Sequence, residues 1–274
     1  MEQKQWSVQM AVNIYLLSLE EILGTDKTER FVRTALKHVD EERARKAEAI
    51  KSMDGKAVSL GAGLLLQRMM ADYRDGCRFE GAIGNPVYDG KIYDGKTYRG
   101  KEDNDKSDSC KEAEICRVTV DELYDYPSPL QLRYSYGPHG KPKILDFSLQ
   151  FSLSHSGQYI LCAVSSQNVG ADIQQKKKVN ALGIAKRFFS PEEYLQLEQC
   201  GCETECQELF YRMWTRKEAY GKLTGDGVPS LLRQDVSQIM KGYSHVVPPD
   251  HGLKWITVQP PMGYEVAVCT DKLE

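Results

Sequence analysis

The chain has 274 residues, 41% hydrophobic and 27% charged, with a formal net charge of -3. That is an ordinary globular composition with enough length for one large domain or two smaller ones, and it carries no global basic field to argue for nucleic acid. No apolar run reaches the ~18–20 residues a membrane helix needs, and Met1-Glu2-Gln3-Lys4-Gln5 lacks the layout of a secretory signal, so a cytoplasmic protein is expected.

In chain order, Val8–Tyr15 alternates as a strand does. A helix is expected from Asp40, whose carboxylate can cap the following amides ahead of Glu41 and Glu42. A second, core-facing helix is expected over Val58–Tyr73. Residues 76–116 differ in composition: Tyr88-Asp89-Gly90-Lys91 recurs as Tyr93-Asp94-Gly95-Lys96, and residues 102–108 are wholly polar. They read as an exposed insertion, hairpin-like or disordered.

Tyr134–Pro142 reads as a strand entering a turn, and Tyr159–Val164 and Val169–Ile173 as buried strands. Helices are expected over Ala181–Phe188, Pro191–Gln199 and Glu208–Leu223, then strands at Trp255–Val258 and Glu265–Cys269. Strands and helices in both halves give an α+β fold with two lobes, residues 1–167 and 168–274. Of eight cysteines, Cys162 and Cys269 fall in apolar strands. Cys200, Cys202 and Cys206 have no common zinc spacing and read as thiols.

Three segments carry chemistry. In Phe210–Lys222, helical spacing puts Phe210, Trp214, Glu218 and Lys222 on one face; taken alone, this is also a core stripe ending in a Glu–Lys surface pair. Gly170-Ala171-Asp172-Ile173 ends an apolar strand with an acid. Phe151–Gly157 sets His155 between Ser154 and Ser156. Hydroxyls, imidazole and lysine suit phosphate, and Asp172 and Glu218 suit a hard cation such as Mg²⁺.

Together Gly140-Lys141-Pro142, Phe151–Ser156, Gly170–Ile173, Ile184–Tyr194 and Trp214–Lys222, in that order, resemble the 4′-phosphopantetheinyl transferase superfamily of the surfactin-synthetase-activating type. The resemblance covers most of residues 40–223 outside the insertion. It implies a pseudo-twofold pair of similar α+β lobes with coenzyme A in the cleft between them. Asp172 and Glu218 would hold Mg²⁺ at the diphosphate and Lys222 would contact the phosphates. Ser154 and His155 would bind the diphosphate and 3′-phosphate region, Lys141 and Pro142 the adenine end, and Arg45 the 3′-phosphate. Glu193, which also fits a capping box with Ser190, would lie near the site. The family pattern Gly-x-Asp-x-Glu has Gln174 in its last place here, so the third metal ligand becomes a neutral amide.

The implied reaction moves phosphopantetheine from coenzyme A to a serine of an acyl or peptidyl carrier protein, of fatty-acid, polyketide or nonribosomal-peptide type, and releases 3′,5′-ADP. Lys176-Lys177-Lys178 with Val179, Leu182 and Ile184 offers a docking strip for an acidic carrier helix, or is simply a solvated loop and helix face. A cleft formed within one chain implies a monomer. The alternative is a non-catalytic module that binds coenzyme A or a carrier, with Gln174 marking a degenerate metal site.

Overall fold

The computed structural model describes residues 12–74, 87–88, 91–92, 115–124, 130–227 and 253–271. In chain order the elements are β1 (Asn13–Ser18), α1 (Lys27–Ala35), α2 (Glu41–Glu48), α3 (Met53–Arg74), β2 (Val87–Tyr88), β3 (Lys91–Ile92), β4 (Ile115–Val118) and a 3₁₀ turn (Asp121–Tyr124). Then come β5 (Tyr134–Tyr136), β6 (Pro142–Ile144), β7 (Gln150–Ser156), β8 (Tyr159–Ser165), β9 (Val169–Gln175), α4 (Ala181–Phe188), α5 (Pro191–Glu198), α6 (Glu203–Thr224), β10 (Leu253–Ile256) and β11 (Tyr264–Asp271).

Two sheets organise the fold, in strand order β4-β1-β8-β7 and β10-β11-β9. The first buries both faces. Leu17, Ile160, Cys162 and Val164 pack with Leu60, Leu64 and other residues of the α1–α3 layer. Ile14, Leu16, Leu161 and Ala163 meet Val169, Ala171, Ile173, Val266 and Val268 of the second sheet. The alternate residues of β9 and β11 face α6, where Ala219 and Leu223 pack with Ala267 and Cys269. Period-two alternation therefore sends Ala171 and Ile173 into the sheet–sheet core and leaves Gly170 and Asp172 facing α6. The architecture is α+β.

The strand expected at Val8–Tyr15 starts at Asn13 among the described residues and runs to Ser18. α1 was not foreseen, and Phe151–Ser156, read only as a run before a strand, is itself β7, joined to β8 across Gly157 and Gln158. α6 begins at Glu203, about a turn earlier than expected, with Cys202 as its N-cap. Two calls on the insertion can be placed. Val87–Tyr88 and Lys91–Ile92 pair antiparallel, and Ile115–Cys116 belong to β4, parallel to β1. The polar run 102–108 lies outside the described residues.

Local chemistry accounts for the helix starts. Asp40 Oδ1 accepts from Arg43 N–H at 2.9 Å and caps α2. Ser190 and Glu193 form a complete capping box on α5 with Pro191 in the first turn. Glu193 does more than cap: it and Lys217 of α6 are both 0% exposed and form an ion pair at 2.8 Å, with the Lys217 amine 5.2 Å from the Phe189 ring centroid. Phe189 in turn stacks on Phe210 and Trp214. Glu193 is thus committed to joining α5 to α6.

Gly170 is where α6 meets β9 most closely. A Cβ there would lie 2.0 Å from the Ala219 carbonyl oxygen and 2.7 Å from Leu223 N, both backbone atoms that cannot swing aside. Gly170→Ala is therefore expected to cost about 3 kcal/mol or more, read as a lowered urea midpoint at unchanged slope.

Candidate active site

The site is assembled from β7, β9 and α6. Asp172, 1% exposed, faces α6 from the middle of β9. Its Oδ1 accepts from Ser154 Oγ at 2.6 Å and from Lys222 Nζ at 2.6 Å, and its Oδ2 accepts from Gln174 Nε2 at 2.9 Å. Three donors on one carboxylate offset the cost of burying it. Ser154 reaches Asp172 because β7 runs beside the free edge of β9. Ser152, Ser154 and Ser156 accept from the backbone N–H groups of Ala171, Ile173 and Gln175 at 2.9, 3.4 and 2.9 Å.

Glu218 projects from α6 toward the same carboxylate. Burial first, then the Asp172 charge, pushes its carboxyl up to about 7, while Lys222 pulls the other way. His155 alternates to the other side of β7 from Ser154 and lines a cavity of about 420 Å³ with Arg43, Ser59, Leu153 and Ser154. Surrounding protein and the Lys222 charge hold its pKa below the ordinary imidazole value, against the pull of Asp172. The Ser154 hydroxyl is already donated to Asp172, so the polar donors of the cavity wall are Arg43, the Ser59 hydroxyl and the His155 imidazole, a set that suits an oxyanion.

The expected residues do not all converge. Asp172, Ser154, Lys222, Gln174 and Glu218 come together as one cluster, with His155 electrostatically coupled to it. Arg45 is exposed on α2, whereas Arg43 reaches the cavity. Two positions on a helix lie about 200° apart, so the two arginines face opposite ways. Arg43 was missed, although the helical phase relative to the buried Ala47 could have singled it out. Lys141, half-buried, donates to the Leu223 carbonyl at 2.7 Å and caps the end of α6; burial is the main cause of its lowered pKa. Pro142 opens β6 opposite Tyr136. Neither Lys141 nor Pro142 lines the cavity beside His155.

Among the described residues no group of three or more histidine, cysteine, aspartate or glutamate side chains is set to hold a metal. The donor set nevertheless suits a hard divalent cation. Asp172 and Glu218 are close enough for the negative charge of one to raise the pKa of the other, and Gln174 can turn its amide oxygen to the same place.

A family model described as the 4′-phosphopantetheinyl transferase superfamily matches residues 168–269, the segment that carries Asp172, Glu218 and Lys222. The chain is 34% identical over 162 residues to the 4′-phosphopantetheinyl transferase psf-1 of Bacillus pumilus, covering 58% of this chain and 68% of the relative. It is 37% identical over 142 residues to the 4′-phosphopantetheinyl transferase Sfp of Bacillus subtilis, covering 50% and 62%. Over 115 residues it is 40% identical to the 4′-phosphopantetheinyl transferase HetI of a Nostoc species, covering 40% and 48%. The matches thus span from about half to about two thirds of these relatives. The chain belongs to the 4′-phosphopantetheinyl transferase superfamily.

The raised Glu218 pKa fixes the sign of a pH effect. Between about 4.5 and about 7 the folded state holds a proton that the unfolded chain has released. The Glu218 contribution is therefore fully present below about 4.5 and is lost as pH rises to about 7. Urea midpoints of the cation-free protein across that window should fall with a steeper slope than those of Glu218→Gln; parallel slopes would reject the raised pKa.

Proposed function

We propose that this chain transfers the 4′-phosphopantetheine arm of coenzyme A to a serine of an apo carrier protein. The observation that carries the reading is the Asp172–Glu218–Lys222 cluster beside an oxyanion-type cavity, in a chain of this superfamily. In this reading residues 1–167 and 168–274 are two related lobes, coenzyme A lies in the cleft between them, and the protein works as a cytoplasmic monomer.

Each side chain has a defined task. Arg43, Ser59 and His155 hold phosphate oxygens of coenzyme A. The Lys222 amine, now 2.6 Å from Asp172 Oδ1, turns to the diphosphate and neutralises charge that grows on the leaving side, where electrostatic stabilisation contributes most. Glu218 accepts the proton of the carrier serine as that oxygen attacks the β-phosphorus and 3′,5′-ADP departs. Mg²⁺ would be held by Asp172 and Glu218 with the Gln174 amide oxygen, and when bound it neutralises diphosphate charge.

The carrier would dock beside the α4 N-terminus. Lys176 is paired with Glu208 at 2.6 Å and Glu265 at 3.7 Å, and Lys178 with Glu203 at 3.1 Å. The docking face therefore rests on Lys177 with two exposed apolar side chains, Leu182 and Met262. Met262 is on the turn whose Gly263 carbonyl accepts from Lys176 N–H at 2.8 Å.

Incubating the protein with coenzyme A, Mg²⁺ and a panel of apo carriers should add one phosphopantetheine to a carrier serine, read by intact mass. Glu218→Ala should lower turnover by about a hundredfold or more while coenzyme A still binds. Near-normal turnover in that variant would rule out Glu218 as the base, and no mass gain on any carrier would favour the non-catalytic binding module. Gln174→Glu restores a third carboxylate and should tighten Mg²⁺ binding about tenfold, measured by calorimetry as well as by the Mg²⁺ dependence of turnover.

A further inference from the structure

Residues 176–179, between β9 and α4, belong to no helix or strand, yet their backbone is tied on two sides. Lys176 N–H donates to the Gly263 carbonyl at 2.8 Å, on the turn before β11. The groups that follow are held by α6. The Tyr211 hydroxyl accepts from Lys177 N–H at 2.9 Å and donates to the Lys177 carbonyl at 3.0 Å. One turn earlier, the Gln207 amide oxygen accepts from Val179 N–H at 3.4 Å, and its Nε2 donates to the Val179 carbonyl at 2.5 Å.

Side chains four apart on a helix are neighbours on one face. Tyr211 and Gln207 therefore meet two residues two apart in the segment and engage the N–H and C=O of each, as a paired strand would. The ion pairs Lys176–Glu208 and Lys178–Glu203 tie the flanking side chains to the same helix. The Tyr211 ring is committed elsewhere: it is buried, packs edge-on to Phe210 at 5.4 Å and shares an apolar cluster with Ala181 and Ala185 of α4. Its hydroxyl is the part given to the segment, whose Lys177 side chain is left exposed.

We propose that Tyr211 and Gln207 are positioning residues for the carrier protein, holding the 176–179 segment so that Lys177 and Leu182 are presented in one arrangement. This rests on the transferase reading and on the docking face described above. A segment already ordered spares the carrier the cost of ordering it on binding. Because α6 also carries Glu218 and Lys222, one helix fixes both the docking segment and the reacting groups. Loss of the strap should therefore weaken carrier binding and leave the chemistry and the coenzyme A site intact.

The test uses the full chain with the apo carrier that the wild-type protein loads fastest. Tyr211→Phe keeps the ring and removes only the hydroxyl; Gln207→Met keeps the length and removes the amide. Each should raise the carrier KM about tenfold with kcat and the coenzyme A KM unchanged. Amide hydrogen exchange should quicken at Lys177 in the first variant and at Val179 in the second, with the α6 amides as protected as in wild type. The strap is overturned if wild type loads the carrier and both variants keep its carrier KM. It is equally overturned if kcat or the coenzyme A KM changes as much as the carrier KM, which would mark a role in the stability of α6. Failure of the wild-type protein to load any carrier would instead overturn the transferase reading, and this proposal with it, even where the exchange rates change as expected.

Discussion

The free edge of β9 is the constraint on which the site depends. An edge strand presents a row of backbone amides that must find acceptors when buried. Here the hydroxyls of Ser152, Ser154 and Ser156, on one face of β7, accept from Ala171, Ile173 and Gln175 in turn. A side-chain ladder thus replaces a backbone ladder, and the two sheets meet without merging. The same geometry brings Ser154 within 2.6 Å of Asp172, so the contact that closes the fold also orients the central carboxylate.

Opposite this edge, α6 has to approach β9 closely enough for its own charges to reach Asp172. The absence of a side chain at Gly170 permits that approach, and the buried Glu193–Lys217 pair with the Phe189, Phe210 and Trp214 stack sets the rotation of the helix. Lys217 turned toward α5 leaves its neighbour Glu218 turned toward the sheet, about 100° around the helix. Lys141 holds the far end of α6 through the Leu223 carbonyl. Glu218 and Lys222 are consequently delivered to one carboxylate by backbone packing rather than by mutual attraction.

The electrostatics follow from this crowding. Asp172 takes three donors and Glu218 takes the penalty, titrating near neutrality. A site with one satisfied carboxylate and one poised carboxyl can attract a cation or accept a proton. Gln174, bonded to Asp172 through its amide nitrogen, makes the cluster less negative than the Gly-x-Asp-x-Glu pattern would.

Much was legible in the sequence where the cause is local. The Asp40 cap, the Ser190–Glu193 capping box, the extents of α4 and α5, the buried strands β8 and β9, and the order of the motifs around Asp172 and Trp214 all depend on residues a few positions apart. What needed the tertiary structure depends on distant partners. Serines at period two gave little apolar signal, so β7 was missed until its partner edge appeared. Arg43 rather than Arg45 reaches the cavity because α2 packs with one phase against α3, with the Arg43 stem lying where a side chain on Gly63 would be. Lys217 looked like a motif residue and is a fully buried ion-pair partner. Residue types and spacing determined that a carboxylate and amine chemistry would exist in this chain; the meeting of one strand edge, one serine face and one helix decided which groups share it, because charges interact over a few ångströms of space and not along the chain.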